Sequence, residues 1–178
     1  MRAIMKSDIG NCLIMQRATL AHINDILQFE AQNQQWFAEF LPRKTLLKQD
    51  KNYFQKQLSD THQSLQYLVY YRSEKIIGRF CVQRLNDAEK SVEISYRIEK
   101  KYTQKGVGRY VLRRLLAIIS CYGVNSVYAY VGEGNKASIR LLVSCGFAHI
   151  DTDAHSINLS TGIQDRLSFK WVNPVLLD

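Results

Sequence analysis

The tightest constraint on the fold lies between residues 92 and 119, where the hydrophobic period changes from that of a strand to that of a helix across one short loop. Val92, Ile94, Tyr96 and Ile98 alternate with Glu93, Ser95, Arg97 and Glu99, so one set faces each side of a strand. From Gly108 onward Leu112, Leu115, Leu116 and Ile119 recur at helical spacing, with Arg109, Arg113 and Arg114 beside or opposite them. The joining segment is Thr103-Gln104-Lys105-Gly106-Val107-Gly108-Arg109. A strand must therefore feed a helix through a glycine-bearing turn, which places sheet and helix in one packing unit.

The flanking pattern fills out the order of elements. Asn11 to Arg17 suits a first strand, and the segment after Thr19, a candidate cap, carries Ile23, Ile26, Leu27 and Phe29 on one helical side. After Trp36, Phe37, Phe40 and a break at Pro42, a second helix is expected from about Thr45 to Ser59. Leu65 to Arg72 and Ile76 to Leu85 read as strands joined by a hairpin loop at Ser73-Glu74-Lys75, and Asn86-Asp87-Ala88-Glu89 turns the chain into the alternating strand. Gly123 ends the basic helix, and Val124 to Val131 forms an apolar strand. A helix from about Asn135 through Val143 is closed by Gly146, and strand-like segments follow near Phe147 to Ile150 and Arg166 to Val172. The expectation is an α+β fold in one domain spanning residues 1–178, with a mostly antiparallel sheet.

Composition narrows the function classes. The 178 residues include 46% hydrophobic residues, 9 Gly and 2 Pro, which excludes a disordered or collagen-like chain. Apolar runs such as Leu115 to Ile119 are far shorter than the roughly 18 residues a membrane helix needs, so no membrane partner is expected. Arg2 and Lys6 are basic, but Ser7, Asp8 and Gly10 interrupt any secretory core, so the mature chain is expected to start near Met1. Cys12, Cys81, Cys121 and Cys145 have neither zinc nor disulfide spacing, and His22, His62, His149 and His155 are scattered. A reduced, cytoplasmic, metal-free protein is expected. With 24 Lys and Arg against 16 Asp and Glu, the net charge of +8 attracts polyanions such as a phosphate-bearing cofactor, nucleic acid or an anionic membrane.

The glycine loop favours the first of these. At a helix start the leading N–H groups lack intrahelical acceptors and the dipole end is positive, so a phosphate or pyrophosphate fits there, although such a turn also occurs for purely steric reasons. No Gly-x-x-x-x-Gly-Lys-Ser/Thr sequence is present, and Gly106-Val107-Gly108 lacks the third glycine of a dinucleotide fingerprint. Nucleotide hydrolysis and dinucleotide redox chemistry are therefore disfavoured.

The glycine loop is followed in order by Asn135-Lys136-Ala137-Ser138 and Gly146-Phe147. Together they resemble the Gcn5-related N-acetyltransferase (GNAT) superfamily, with its Gln/Arg-x-x-Gly-x-Gly/Ala loop and later Asn-x-x-Ser...Gly-Phe segment. From about Met15 to Trp171 the chain looks most like the RimJ/RimL-type group, which acetylates N-termini of ribosomal proteins. Glu93-Ile94-Ser95-Tyr96 resembles that group's Glu-Ile-Gly-Tyr strand, and Asn158 to Asp165 its closing polar turn.

The resemblance implies a GNAT fold with helices on both faces of the sheet, and acetyl-coenzyme A as co-substrate. It implies that Ile98 offers backbone groups to the acetyl and pantetheine portion. Thr103, Gln104, Lys105, Gly106, Val107, Gly108 and Arg109 would surround the pyrophosphate, with Asn135 and Ser138 flanking the pantetheine arm. Arg109, Arg113, Lys136 and Arg140 are candidates for the phosphates or for a solvated helix face. Glu93 is the candidate base that takes the amine proton, the alternative being an outward-facing strand carboxylate. Leu142 stands where many members carry an acidic tyrosine, so the Ser138 hydroxyl becomes the candidate donor to the leaving thiolate, unless it only satisfies local backbone groups. Thr103 also departs from the usual Arg or Gln, with Gln104 next to it, and Lys100 replaces a common proline.

The acceptor implied is a primary amine, foremost a protein or peptide N-terminus, in a pocket to which Trp36, Phe37, Phe40, Tyr128 and Tyr130 are candidate contributors. Alternatives are a polyamine or aminoglycoside acceptor and a non-catalytic coenzyme A-binding module. A strongly cationic acceptor calls for acidic residues, whereas the surplus here is basic. A monomer or homodimer is expected, without a nucleic-acid partner.

Overall fold

The computed structural model describes residues 12–72 and 75–176. Asn11 of the first strand, the basic residues before it, and Ser73 and Glu74 of the hairpin loop lie outside the described residues. In chain order the elements are β1 Leu13–Arg17, α1 Ile23–Gln32, α2 Gln34–Phe37, α3 Arg43–Lys48, α4 Lys51–Ser59, β2 Ser64–Tyr71, β3 Lys75–Asn86 and β4 Ser91–Ile98. They continue with α5 Val107–Cys121, β5 Ser126–Gly132, α6 Lys136–Ser144, β6 Ala148–Leu159 and β7 Gly162–Val172. The strands form a seven-stranded sheet in the order β1-β2-β3-β4-β5-β7-β6. Its described pairings are antiparallel except β4 with β5, which is parallel because α5 crosses between them. The expected α+β architecture is present.

Alternation along each strand sorts the apolar side chains into two cores. Val69, Phe80, Ile94, Ala129 and Phe169 face α5 and α6, where Leu112 and Leu115 are fully buried. On the other face Leu68 and Ile76 meet Ile26, Phe29, Phe37 and Phe54 of α1, α2 and α4. Helices therefore cover both faces, and the sheet is the common wall.

Several boundaries differ from the sequence reading for local reasons. The helix expected from Thr45 to Ser59 is two helices, because Asp50 adopts extended backbone and its carboxylate accepts the Tyr53 N–H at 2.8 Å, starting α4 afresh. Thr19 heads a short 3-10 turn rather than α1 itself, and its N–H donates to His22 Nδ1 at 3.0 Å. Helix α5 begins at Val107, one residue before Gly108. Strand β5 begins at Ser126 rather than Val124, whose N–H still reaches back to Ile119 O.

The largest difference is the β6–β7 hairpin. Its strands continue far past the segments read near Ile150 and Arg166, and the polar stretch from Asn158 to Asp165 is mostly paired strand around a turn at Ser160 and Thr161. Residues 151–156, past the segment read near Ile150, are exposed, so no apolar alternation marked them as strand. Pairing there is held by backbone bonds and interrupted by bulges after His149 and Asp153.

Leu115 joins α5 to the sheet with no exposed surface. Leu115→Ala should destabilise the protein by about 3 kcal/mol through lost burial and the cavity left behind, read as a lower urea midpoint at unchanged slope.

Candidate active site

The site originates where β4 and β5 stop pairing. Their parallel register runs only through Ser91–Ser126, Val92–Val127 and Glu93–Tyr128, although β4 continues to Ile98 and β5 to Gly132. Beyond Glu93 the strands diverge. Hydrogen-bond alternation then fixes which backbone groups face the gap. The Glu99 N–H donates to Ile77 O at 2.9 Å, so in the same register Arg97 and Ser95 bond to β3, while the backbone groups of Ile94, Tyr96 and Ile98 point away from it. On the far side, Glu133 N–H donates to Asp165 O and Asn173 N–H to Asn125 O, which turns the backbone of Tyr130 and Gly132 toward the gap. Trp36 Nε1 donates to the Ile98 carbonyl at 3.1 Å and pins α2 to the end of β4.

The N-terminus of α5 closes one end of the gap. Gln104 (φ 57°) and Gly106 (φ 88°) both adopt left-handed backbone, and Gly106 caps the helix without a side chain. The first helical bond runs from Tyr110 N–H to Gly106 O at 3.0 Å, which leaves the N–H groups of Val107, Gly108 and Arg109 without helical acceptors. Gly108 is needed for a different reason. A Cβ there would lie 2.7 Å from Leu141 Cδ2 and 3.1 Å from Ile98 Cδ1, so glycine lets α5, α6 and β4 meet.

Helix α6 forms the adjoining wall. The Asn135 side chain accepts the Ser138 N–H at 3.1 Å and so caps α6, which frees the Ser138 hydroxyl for another partner. That partner is Tyr96, whose hydroxyl lies 2.6 Å from Ser138 Oγ. Burial raises the Tyr96 pKa well above its ordinary value, and the Ser138 hydrogen bond partly opposes the shift, so its hydroxyl keeps its proton. Arg109 Nε donates to Ser144 Oγ at 3.1 Å and Arg113 to Ser144 O at 3.2 Å. These two arginines thus hold the C-terminal end of α6, where cations are electrostatically favoured.

The opposite face of the sheet carries the second half of the site. Register places Glu93, Ser95 and Arg97 of β4, Tyr128 and Tyr130 of β5 and Arg166 of β7 on that face, under α1 and α2. The Arg166 guanidinium lies over the Tyr130 ring at 5.2 Å and pairs with Asp153 at 3.1 Å. Glu93 is half-buried at the last β4–β5 pair, and burial raises its carboxyl pKa, which the charge of Arg166 partly opposes.

A cavity of about 1300 Å³ connects both halves. Of the residues singled out from sequence, Ile98, Thr103, Gln104, Gly106, Gly108, Arg109, Asn135 and Ser138 line it, as do Arg113 and Arg140. Lys105 and Val107 do not: the Lys105 ammonium sits over the Tyr102 ring, and the Val107 side chain is buried in the core. Lys136 and Glu93 are also outside the lining, Glu93 lying at the point where the strands part. Trp36, Phe37, Phe40 and Tyr130 contribute to the wall, whereas Tyr128 lies beneath the Lys170 ammonium. Tyr96, Arg97 and Arg166 line the cavity and were not singled out as site residues. Tyr96 was visible only as part of a strand motif, and no local pattern announces a cross-sheet arginine. Among the described residues, no cluster of three or more His, Cys, Asp or Glu is arranged to hold a metal ion.

Split strands with unpaired backbone, free N–H groups at a helix start and cavity-lining arginines together suit a long ligand with amides at one end and phosphates at the other. A family profile described as "Acetyltransferase (GNAT) domain" matches residues 13–148, and the chain belongs to that family. Acetyl-coenzyme A is the donor such enzymes use. The fold agrees with RimL, a ribosomal L7/L12 alpha-N-protein acetyltransferase solved with coenzyme A, at a TM-score of 0.80 and 14% identity over 92% of this chain and 96% of that one. It agrees with the ribosomal-protein-S5-alanine acetyltransferase of Vibrio fischeri at 0.78 and 15% identity, over 91% and 93% of the two chains. A spermidine N-acetyltransferase chimera from Vibrio cholerae and hSSAT superposes at 0.70 with 15% identity, over 93% and 98%. In sequence, YwnH of Bacillus subtilis (strain 168), a candidate phosphinothricin acetyltransferase, is 37% identical over 59 residues. That stretch is 33% of this chain and 36% of YwnH.

Replacing Gly106 by valine puts a β-branched residue at φ 88°, a conformation that costs about 1–2 kcal/mol even before any clash. Gly106→Val should weaken coenzyme A binding at least about tenfold in calorimetry, because the turn that presents the free N–H groups cannot keep its shape.

Proposed function

We propose that the protein transfers the acetyl group of acetyl-coenzyme A to a primary amine, foremost the N-terminal amine of a protein or peptide. The observation that carries this reading is the β4–β5 split, open to the free N-terminus of α5 and walled by the Tyr96–Ser138 hydroxyl pair. The backbone of Ile98, the turn from Thr103 to Arg109 and the cap at Asn135 are the groups that would hold the donor. The donor supplies an acetyl thioester, which only an unprotonated amine can attack.

The chain's own residues then manage the amine proton and the charge of the leaving thiolate. Glu93, on the acceptor face with a raised pKa, takes the proton of the incoming amine through water along that face. Ser138 Oγ donates a hydrogen bond to the leaving sulfur, and the Tyr96 hydroxyl behind it, which keeps its own proton, holds Ser138 in that orientation. The Tyr96–Ser138 pair thus supplies, by hydrogen bonding, the donor that Leu142 cannot. Ile94, Ala129 and Val131 keep water from the reacting atoms, and fixed positioning accounts for much of the rate.

The acceptor half also bears on substrate class. The cavity lining includes Arg97 and Arg166 and no aspartate or glutamate among the described residues, which disfavours a polyamine or aminoglycoside. RimL and the S5-alanine enzyme are described as acting on ribosomal proteins, which supports a protein N-terminus. Both halves of the cavity come from one chain, so a monomer suffices for the reaction and a homodimer is compatible with it. The four cysteines are free thiols, and no described helix is long and apolar enough to cross a membrane. Both features support a cytoplasmic setting.

Thiol release from acetyl-coenzyme A in the presence of peptide, polyamine and aminoglycoside acceptors tests the reading. Peptides should turn over, and Glu93→Gln should lower kcat/KM roughly 10²-fold. In the parent protein kcat/KM should fall as pH drops through the Glu93 pKa, above the ordinary carboxylate range, because the base is lost on protonation. Glu93→Gln should abolish that acidic limb. Ser138→Ala should lower kcat about tenfold or more, and Tyr96→Phe less, with donor KM little changed. Unaltered kcat in both hydroxyl variants would remove the assignment of the pair as hydrogen-bond donor to the sulfur.

A further inference from the structure

The acceptor face contains an uneven buried ion cluster. Arg79 Nε and a terminal nitrogen donate to Glu30 Oε1 at 2.9 and 2.7 Å, and its other bonds reach Gln66 Oε1 and Gln49 Oε1 at 3.0 Å each. Arg97 donates to the second oxygen of the same carboxylate, Glu30 Oε2. The side chains of Arg79, Arg97 and Glu30 are 6%, 10% and 11% exposed. Two guanidinium groups therefore share one carboxylate, and one positive charge is left over in a poorly hydrated place.

The surplus is located on Arg97. Arg79 spends its donors on three partners, whereas Arg97 makes a single hydrogen bond, to Glu30, and has the Phe37 ring 5.5 Å away. Among the described residues the only fully buried side-chain polar atom without a partner is Gln66 Nε2, so the remaining Arg97 donors retain access to the cavity that Arg97 lines. Its backbone faces β3, so its lining contribution is the side chain. Burial and the adjacent Arg79 both pull the Arg97 pKa down, the signature of an under-compensated cation. Other carboxylates nearby do not relieve it. Glu39 is 3.8 Å from Lys100, Asp153 pairs with Arg166, and Glu93 lies four positions back along β4 near Arg166.

We propose that Arg97 is an oxoanion subsite for the acceptor, which carries a carboxylate close to its reactive amine. This deepens the acetyl-transfer reading and rests on it. An uncompensated buried charge is costly, and a ligand carboxylate would restore two cations to two anions. A planar guanidinium with free donors is the group suited to a carboxylate. Placement agrees as well: Arg97 directly follows Tyr96 on β4, so neighbouring residues present the hydroxyl pair on one face and the anion site on the other. The carboxylate belongs either to an acidic residue near a peptide N-terminus or to a free amino acid.

Matched acceptors test this. Peptides of sequence Ser-Asp or Ser-Glu are compared with Ser-Asn or Ser-Gln, and free amino acids with their amides. Two readouts are taken: kcat/KM for thiol release, and the dissociation constant from the coenzyme A-saturated protein by calorimetry. The carboxylate member of a pair should be favoured about tenfold or more in both. Arg97→Gln should shrink the ratio to within about twofold, and Arg97→Lys should keep part of it. Arg97→Gln leaves Arg79 and Glu30 as a balanced pair, so the fold persists, and Arg97→Lys keeps the charge if it does not. A ratio near one in the parent protein, or one that survives Arg97→Gln, overturns the proposal. Thiol release with none of the acceptors would defeat the acetyl-transfer reading, while the calorimetric ratio still decides the subsite. The peptide and amino-acid arms separate the two sources of carboxylate.

Discussion

The parting of β4 from β5 is the constraint on which the site depends. A buried strand normally satisfies its amides and carbonyls with a neighbour on each side, yet past Glu93 β4 is paired only with β3, and the backbone of Tyr96 and Ile98 faces the gap instead. A ligand with amides of its own would complete that edge in the manner of an added strand. The same divergence opens a passage from one face of the sheet to the other. A donor held near α5 and an acceptor held under α2 can therefore meet in the plane of the sheet.

Keeping such a gap open requires a frame, and its parts are visible around the rim. Gly108 brings α5 into contact with Leu141 and Ile98, and Arg109 and Arg113 tie α5 to the end of α6. On the other face Trp36 fastens α2 to the Ile98 carbonyl, and Ser160 at the tip of the β6–β7 hairpin donates to Ala38 O at 3.1 Å. Two independent cores, one on each face, clamp the sheet around the opening. The gap is thus flanked by rigid elements, and the electrostatics of each half are set separately: free N–H groups and arginines at the α5 end, the Glu30 cluster and Arg166 on the face under α1 and α2.

Much of the fold was legible because it depends on local periodicity. The alternation of Val92 to Ile98, the helical spacing after Gly108 and the helix expected from about Asn135 marked the elements around the α5 end of the cavity. The β6–β7 hairpin was only partly legible, since residues 151–156 are exposed and hydrophobic alternation had nothing to record there. The break at Asp50 was missed because the apolar positions of α3 and α4 continue on one side across it, while the interruption is a matter of one capping side chain.

For the site, the sequence by itself determined the family, the glycine turn and the segment bearing Ser138, since these rest on short stretches whose residues act together along the chain. Only the tertiary structure decided that Tyr96 meets Ser138 across 42 positions of sequence, and that Glu30, Arg79 and Arg97 come from three elements to share one buried carboxylate. Periodicity tells which side of a strand a residue takes. It cannot tell what waits there, because burial and ionic partners belong to the packing of distant elements.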